Sequence, residues 1–189
     1  MAIITSRNVG KSEELSHSSN LKVDFMICRD RDSLAEIINK VKPGATISFV
    51  TNGKFSLHNL VIALAQRFMP AELHCTTFAL REFPVRQLMI AMEMKIISSV
   101  KIVVDKRAKI RTPEVFALAQ NAFCKIYQAE IHAKVSVLKT PDSYITIIGS
   151  QNWTTNPKIE AGVILVDDAT GIFHKEWIEK LMNDEAIFK

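Results

Sequence analysis

The chain has 189 residues, 48% of them apolar, and a formal net charge of +4. That is room for one domain with a real core, or at most two small ones, and the mild basicity suits a polyanionic partner. Three scattered cysteines, Cys28, Cys75 and Cys124, form no CxxC pair, which argues against a disulfide framework and a thiolate zinc site.

Residues 1–20 are polar and serine-rich, and the expectation is a loosely ordered arm ahead of a single domain over 21–189. The opening MAIITSRNVGK has too short an apolar run for a signal peptide. No stretch approaches the roughly 18 apolar residues of a membrane span, so a cytoplasmic protein without membrane attachment is expected. Apolar alternation predicts a strand over 21–28. A short helix follows over 30–44, with Asp32 or Ser33 able to cap its start and Pro43-Gly44 ending it. A strand over 45–52 leads to an amphipathic helix over 55–69, closed by Pro70, and residues 71–80 form the next strand. The helix over 84–97 begins with Pro84, where a missing N–H is tolerated.

Residues 100–107 are rich in β-branched side chains and predict a strand, and Thr112-Pro113 open a helix over 112–123. Residues 124–140 read as one long strand or a pair, and 143–150 as the hairpin partner across Thr140-Pro141-Asp142-Ser143. A last strand over 159–168 precedes an amphipathic helix over 171–184. Strands alternating with helices predict an α/β fold: a mostly parallel or mixed central sheet flanked by helices on both faces, with the hairpin as its antiparallel element.

That hairpin carries polar groups at one end only. His132 and Lys134 stand at the start of its first arm, and Gly149, Ser150 and Asn152 at the end of its second. Strand residues two apart share a face, and a hairpin returns its far end to its beginning, so these groups are expected to converge. Gly149 lets the backbones approach closely there. A phosphate diester suits the set. Lys134 supplies charge and three donors, Ser150 and Asn152 supply neutral donors, and His132 can serve as nucleophile or proton carrier. Charge that builds up on phosphate oxygens would be met by a lysine and an amide already in position.

His132-x-Lys134 followed by Gly149-Ser150-x-Asn152 resembles the HKD motif of the phospholipase D superfamily, in particular its short, single-motif, bacterial endonuclease-like members. The resemblance runs over roughly residues 22–180 in element order and over residues 131–165 in detail. It implies a phospholipase D-like fold and a metal-independent phosphodiesterase, with a nuclease acting on DNA as the first reading. The implied catalytic set is His132, Lys134, Ser150, Asn152 and Glu160, the last being the acidic residue that orients an active-site histidine. One motif per chain implies a homodimer, in which His132 of one subunit attacks phosphorus and His132 of the other protonates the leaving oxygen. No metal and no cofactor are implied. The expected substrate contacts are Lys134, Asn152 and Trp153, with packing under the hairpin as the alternative for Trp153.

The sequence departs from the family pattern at two points. Lys139 stands where the family carries aspartate, and the interval from His132 to Gly149 is about three residues longer than usual. Lys139 favours a second reading, a nucleic-acid-binding module on the same fold that hydrolyses nothing. A phospholipid hydrolase is the third. The basic stretch over 101–111 is expected to be a solvated loop or a contact for a nucleic-acid backbone. His58 and His74 are expected to be a helix-surface or strand histidine rather than metal ligands, with His17 and His174 equally uninvolved.

Overall fold

Alternation along single strands determines which side chains meet which layer. The computed structural model describes residues 22–30, 32–123 and 125–183. In chain order it contains β1 (Val23–Cys28), α1 (Ser33–Lys40), β2 (Thr46–Asn52), α2 (Leu57–Arg67), β3 (Ala71–Thr77), α3 (Glu82–Glu93) and β4 (Ile97–Asp105). Then come α4 (Lys106–Arg111), α5 (Pro113–Ala122), β5 (Lys125–Ala129), β6 (Val135–Lys139), β7 (Tyr144–Gly149), β8 (Ile159–Val166) and α6 (Asp168–Met182). The expected polar arm, His17 and Cys124 lie outside the described residues.

The eight strands make one mixed sheet in the order β1-β2-β8-β7-β6-β3-β4-β5. β1 with β2, β3 with β4, and β4 with β5 are parallel, and each of these pairs is joined through helix, as a parallel crossover requires. The block β8-β7-β6 is antiparallel and sits between the two parallel parts. On β4, Ile102 and Val104 enter the main core, which Ile37 of α1, Leu60 and Leu64 of α2, Leu88 of α3 and Phe116 of α5 complete. Val103 between them points to the opposite layer, with Val135, Val137 and the α6 residues Ile178 and Met182. Helices therefore cover both faces, as the sequence pattern required. Among the described residues no helix is long and apolar enough to cross a membrane.

Glu179 fastens α6 to the sheet. Its carboxylate accepts from His74 Nε2 (2.9 Å), Lys101 Nζ (2.9 Å) and Lys175 Nζ (2.8 Å). Burial opposes its ionisation, but donation from Lys175, Lys101 and His74 outweighs this and lowers its pKa to about 2. His74 is thus a buried strand histidine. His58 is not on the surface of α2 but buried, with its ring edge-on to Phe83, and desolvation lowers its pKa to about 4. The stretch expected to be a solvated loop is in part helical: α4 begins at Lys106, and Asp105 Oδ1 accepts from Arg107 N at its first turn.

Candidate active site

The strand directions gather the polar groups at one end of the sheet. β3, β4 and β5 run parallel and finish there, β6 starts there because it is antiparallel to β3, β7 returns there, and β8 starts from there. This is the carboxyl end of the parallel strands, where α/β sheets open their crevices.

His132 and Lys134 are not in a strand. They lie in the irregular link between β5 and β6, so the strand alternation expected to align them does not apply. Other bonds bring them together instead. Lys134 Nζ donates to His132 O (2.7 Å) and lies 3.2 Å from His132 Nδ1 and 3.4 Å from Nε2. The link is held from below by Thr76, whose hydroxyl donates to Ala133 O (3.0 Å) and accepts from Val135 N (3.1 Å). Asp105 Oδ2 accepts from Ile131 N (3.3 Å). Pairing with Arg107 holds the Asp105 carboxyl near pKa 2 against the effect of burial, so it stays an acceptor.

The second arm comes alongside as expected. Gly149 N donates to Lys134 O (3.2 Å). A Cβ on Gly149 would meet Ala161 O at 2.8 Å, so this close approach to β8 depends on glycine. Ser150 hydrogen-bonds through Oγ to Glu160 Oε2 and accepts from Ala161 N (3.1 Å). Glu160 Oε1 takes a second bond from Asn156 Nδ2 (2.6 Å). Glu160 is therefore bonded to Ser150 and Asn156, and among the described residues it makes no hydrogen bond to the His132 of its own chain. Its charge reaches Lys134: partial burial lowers the pKa of that ammonium, and Glu160 opposes the shift.

Asn152 is fixed by its carbonyl. Its Oδ1 accepts from Phe78 N (3.1 Å) and lies 3.2 Å from Thr77 Oγ1, which leaves its amide N–H groups as donors. His132, Lys134, Ser150 and Asn152, with Val135, Ile148 and Gly149, line an open cavity of about 570 Å³. Trp153 does not line it. The indole is 0% exposed and belongs to the main core, so the expectation of a substrate contact there is corrected in favour of packing under the hairpin.

Lys139, where the sequence departs from the resemblance, lies away from this cluster. Lys139 is the last residue of β6, about 16 Å along the strand from Lys134 at the usual rise, and its Nζ donates to Glu72 Oε1 (3.0 Å). The turn of the hairpin is closed by Thr140 and Ser143, which bond to each other. At the polar end Val135 stands opposite Ile148.

Thr76, Thr77 and Asp105 escaped the sequence reading. Their one signal is position, since each is a polar residue closing an apolar strand. Phe78 escaped it too. Its ring lies 4.9 Å from the His132 ring and carries the Arg107 guanidinium 4.6 Å above its centroid.

The fold is thus α/β, a mixed sheet between helices that presents HxK and GSxN at the carboxyl end of its parallel strands. No family model matches the sequence, and no curated protein matches it. Among solved structures the chain is similar to Nuc, a phospholipase D family member from Salmonella typhimurium, at a TM-score of 0.57 and 16% identity over 76% of this chain and 97% of that one. It is also similar to polyphosphate kinase from Porphyromonas gingivalis, at a TM-score of 0.53 and 14% identity over 75% of this chain and 26% of that one.

Proposed function

We propose that the protein is a metal-independent phosphodiesterase, a nuclease acting on DNA, and that a homodimer completes its site. The observation that carries this reading is Lys134 Nζ 3.2 Å from the imidazole of His132, in one open cleft with Ser150 and Asn152. An ammonium and an amide can clamp the non-bridging oxygens of a diester beside a nucleophilic nitrogen. The names of both fold neighbours point to phosphate chemistry.

In the proposed reaction, the lone pair of a His132 nitrogen attacks phosphorus. The bond from phosphorus to the leaving oxygen breaks, and that oxygen takes a proton from His132 of the partner subunit. The partner's His132, now neutral, accepts a proton from water as the water oxygen attacks phosphorus and the phosphorus–nitrogen bond breaks. Nucleophile and leaving oxygen stand roughly in line on opposite sides of phosphorus, so one imidazole cannot serve both in the same step. This is the physical ground for a second copy. Among the described residues an apolar sheet face stays uncovered: it begins beside Glu160 with Ile159 and continues through Val50 to Ile27 and Phe25, which are 72% and 81% exposed, and a partner subunit would cover it.

Plasmid and single-stranded DNA incubated with the protein in excess EDTA should be cleaved at the rate seen without chelator. Absence of cleavage of DNA, RNA and a model diester, with and without EDTA, would overturn the reading. Lys139→Ala should leave turnover unchanged, because its ion pair with Glu72 is solvent-exposed and remote. A tenfold fall in turnover for that variant would show that the motif's altered position acts on the chemistry after all.

A further inference from the structure

Three cationic groups converge on the ring of Phe78. The guanidinium carbons of Arg107 and Arg111 lie 4.6 Å and 5.3 Å from its centroid and Lys134 Nζ lies 5.9 Å away, with the His132 ring against it as well. Phe78 is itself tied to the site, because its N–H donates to Asn152 Oδ1. The cluster is therefore continuous with the cleft rather than a separate basic surface.

The cations differ in how they are compensated. Arg107 is held by Asp105 through Nε at 2.6 Å, and Lys106 pairs with Glu130 at 3.5 Å. Arg111 is exposed, and among the described residues no hydrogen bond or carboxylate engages it. Like charges drawn to one ring repel, and an anion delivered between them relieves that repulsion. A second cavity, of about 450 Å³ and lined by Asp105, Lys106, Arg107, Glu130, Ile131 and His132, meets the first one at His132. A substrate seated in the first cavity and reaching into the second must pass His132 and meet the Arg107 guanidinium, while Arg111 lines neither cavity and joins the cluster through the ring of Phe78.

We infer that Arg111, with Arg107 and oriented on Phe78, forms a subsite for a phosphate flanking the scissile one, so that the substrate is an extended nucleic-acid strand rather than an isolated diester. The inference rests on the phosphodiesterase reading for the identity of the scissile site. Guanidinium is the group suited to this task, since its planar fork matches phosphate and stacks on aromatic faces.

The test compares Arg111→Gln with Lys109→Gln. Both remove one positive charge from α4, but Lys109 Nζ lies 5.7 Å from the ring of Phe116, away from Phe78. Affinity for a labelled single-stranded oligonucleotide is measured by anisotropy across a salt series. Turnover of the same strand and of bis(p-nitrophenyl) phosphate is measured in parallel. Arg111→Gln should weaken strand binding by roughly tenfold or more. It should also reduce the salt slope by about 0.7, the value of one phosphate contact on a single strand. Lys109→Gln should do neither, and small-diester turnover should stay within about twofold of wild type, since that substrate has no flanking phosphate. Equal losses in the two variants, or an unchanged slope for Arg111→Gln, would overturn the subsite. A wild-type protein that binds the strand but hydrolyses nothing would count against the proposed activity alone, because the slope comparison needs no turnover.

Discussion

Replacing His132 with alanine should abolish phosphodiester turnover in excess EDTA, by roughly a thousandfold or more, as losing a nucleophile or general acid does elsewhere. The same change should move stability by no more than about 0.5 kcal/mol. His132 is exposed, and its ring lies against Phe78 and the Lys134 ammonium. The link that carries it is held by backbone bonds to Thr76 and Asp105, which alanine leaves in place. Mixed dimers add a second readout. If each site draws a histidine from both subunits, an equal mixture of wild-type and His132→Ala chains, unfolded and refolded together, retains about a quarter of the activity, whereas self-sufficient subunits retain about half. Near-wild-type turnover in the pure variant would remove His132 from the chemistry. A half-retained mixture would keep the nucleophile and discard the shared site.

How much of this was readable in advance follows from which contacts are local. β6 and β7 are adjacent in sequence, so their hairpin, and the meeting of Lys134 with Gly149, followed from alternation around one turn. The placement of β8 against β2, and of β6 against β3, joins residues far apart in the chain, and periodicity carries no information about such partners. For the same reason Thr76, Thr77 and Asp105 stayed hidden, since each acts on residues distant in sequence. Over 124–140 the pair of strands is the alternative that forms, but His132 and Lys134 fall in the link between them, because the chain leaves the sheet between Ala129 and Val135 to pass from β5 to β6. The charge of the run from Lys106 to Arg111 suggests a solvated loop, yet Asp105 caps it and Ala108 is buried, which suffices for a short helix.

Trp153→Ala should cost about 3–5 kcal/mol of stability, the range for truncating a buried aromatic, out of a total that rarely exceeds about 15 kcal/mol. Its indole is wholly buried in the main core, and its backbone is equally committed: Trp153 N donates to Thr77 Oγ1 (3.2 Å) and Trp153 O accepts from Arg81 N (3.0 Å). Because Asn152 is the preceding residue, with its carbonyl fixed by Phe78 N and Thr77, the packed indole sets where that amide stands. Turnover should therefore fall with stability although Trp153 is wholly buried and does not line the cavity, and the fall should appear at temperatures where the variant is still folded. Trp153→Phe separates the two roles. Phenylalanine keeps most of the volume and removes the indole N–H, which finds no partner among the described residues and so is costly to bury. The smaller ring leaves a cavity that offsets this gain, so the net loss should stay below about 1.5 kcal/mol, with turnover close to wild type. Urea unfolding and single-turnover cleavage on the two variants decide the matter. If Trp153→Phe lost activity while keeping its stability, the indole itself would be required at the site, and its assignment to the core alone would be wrong.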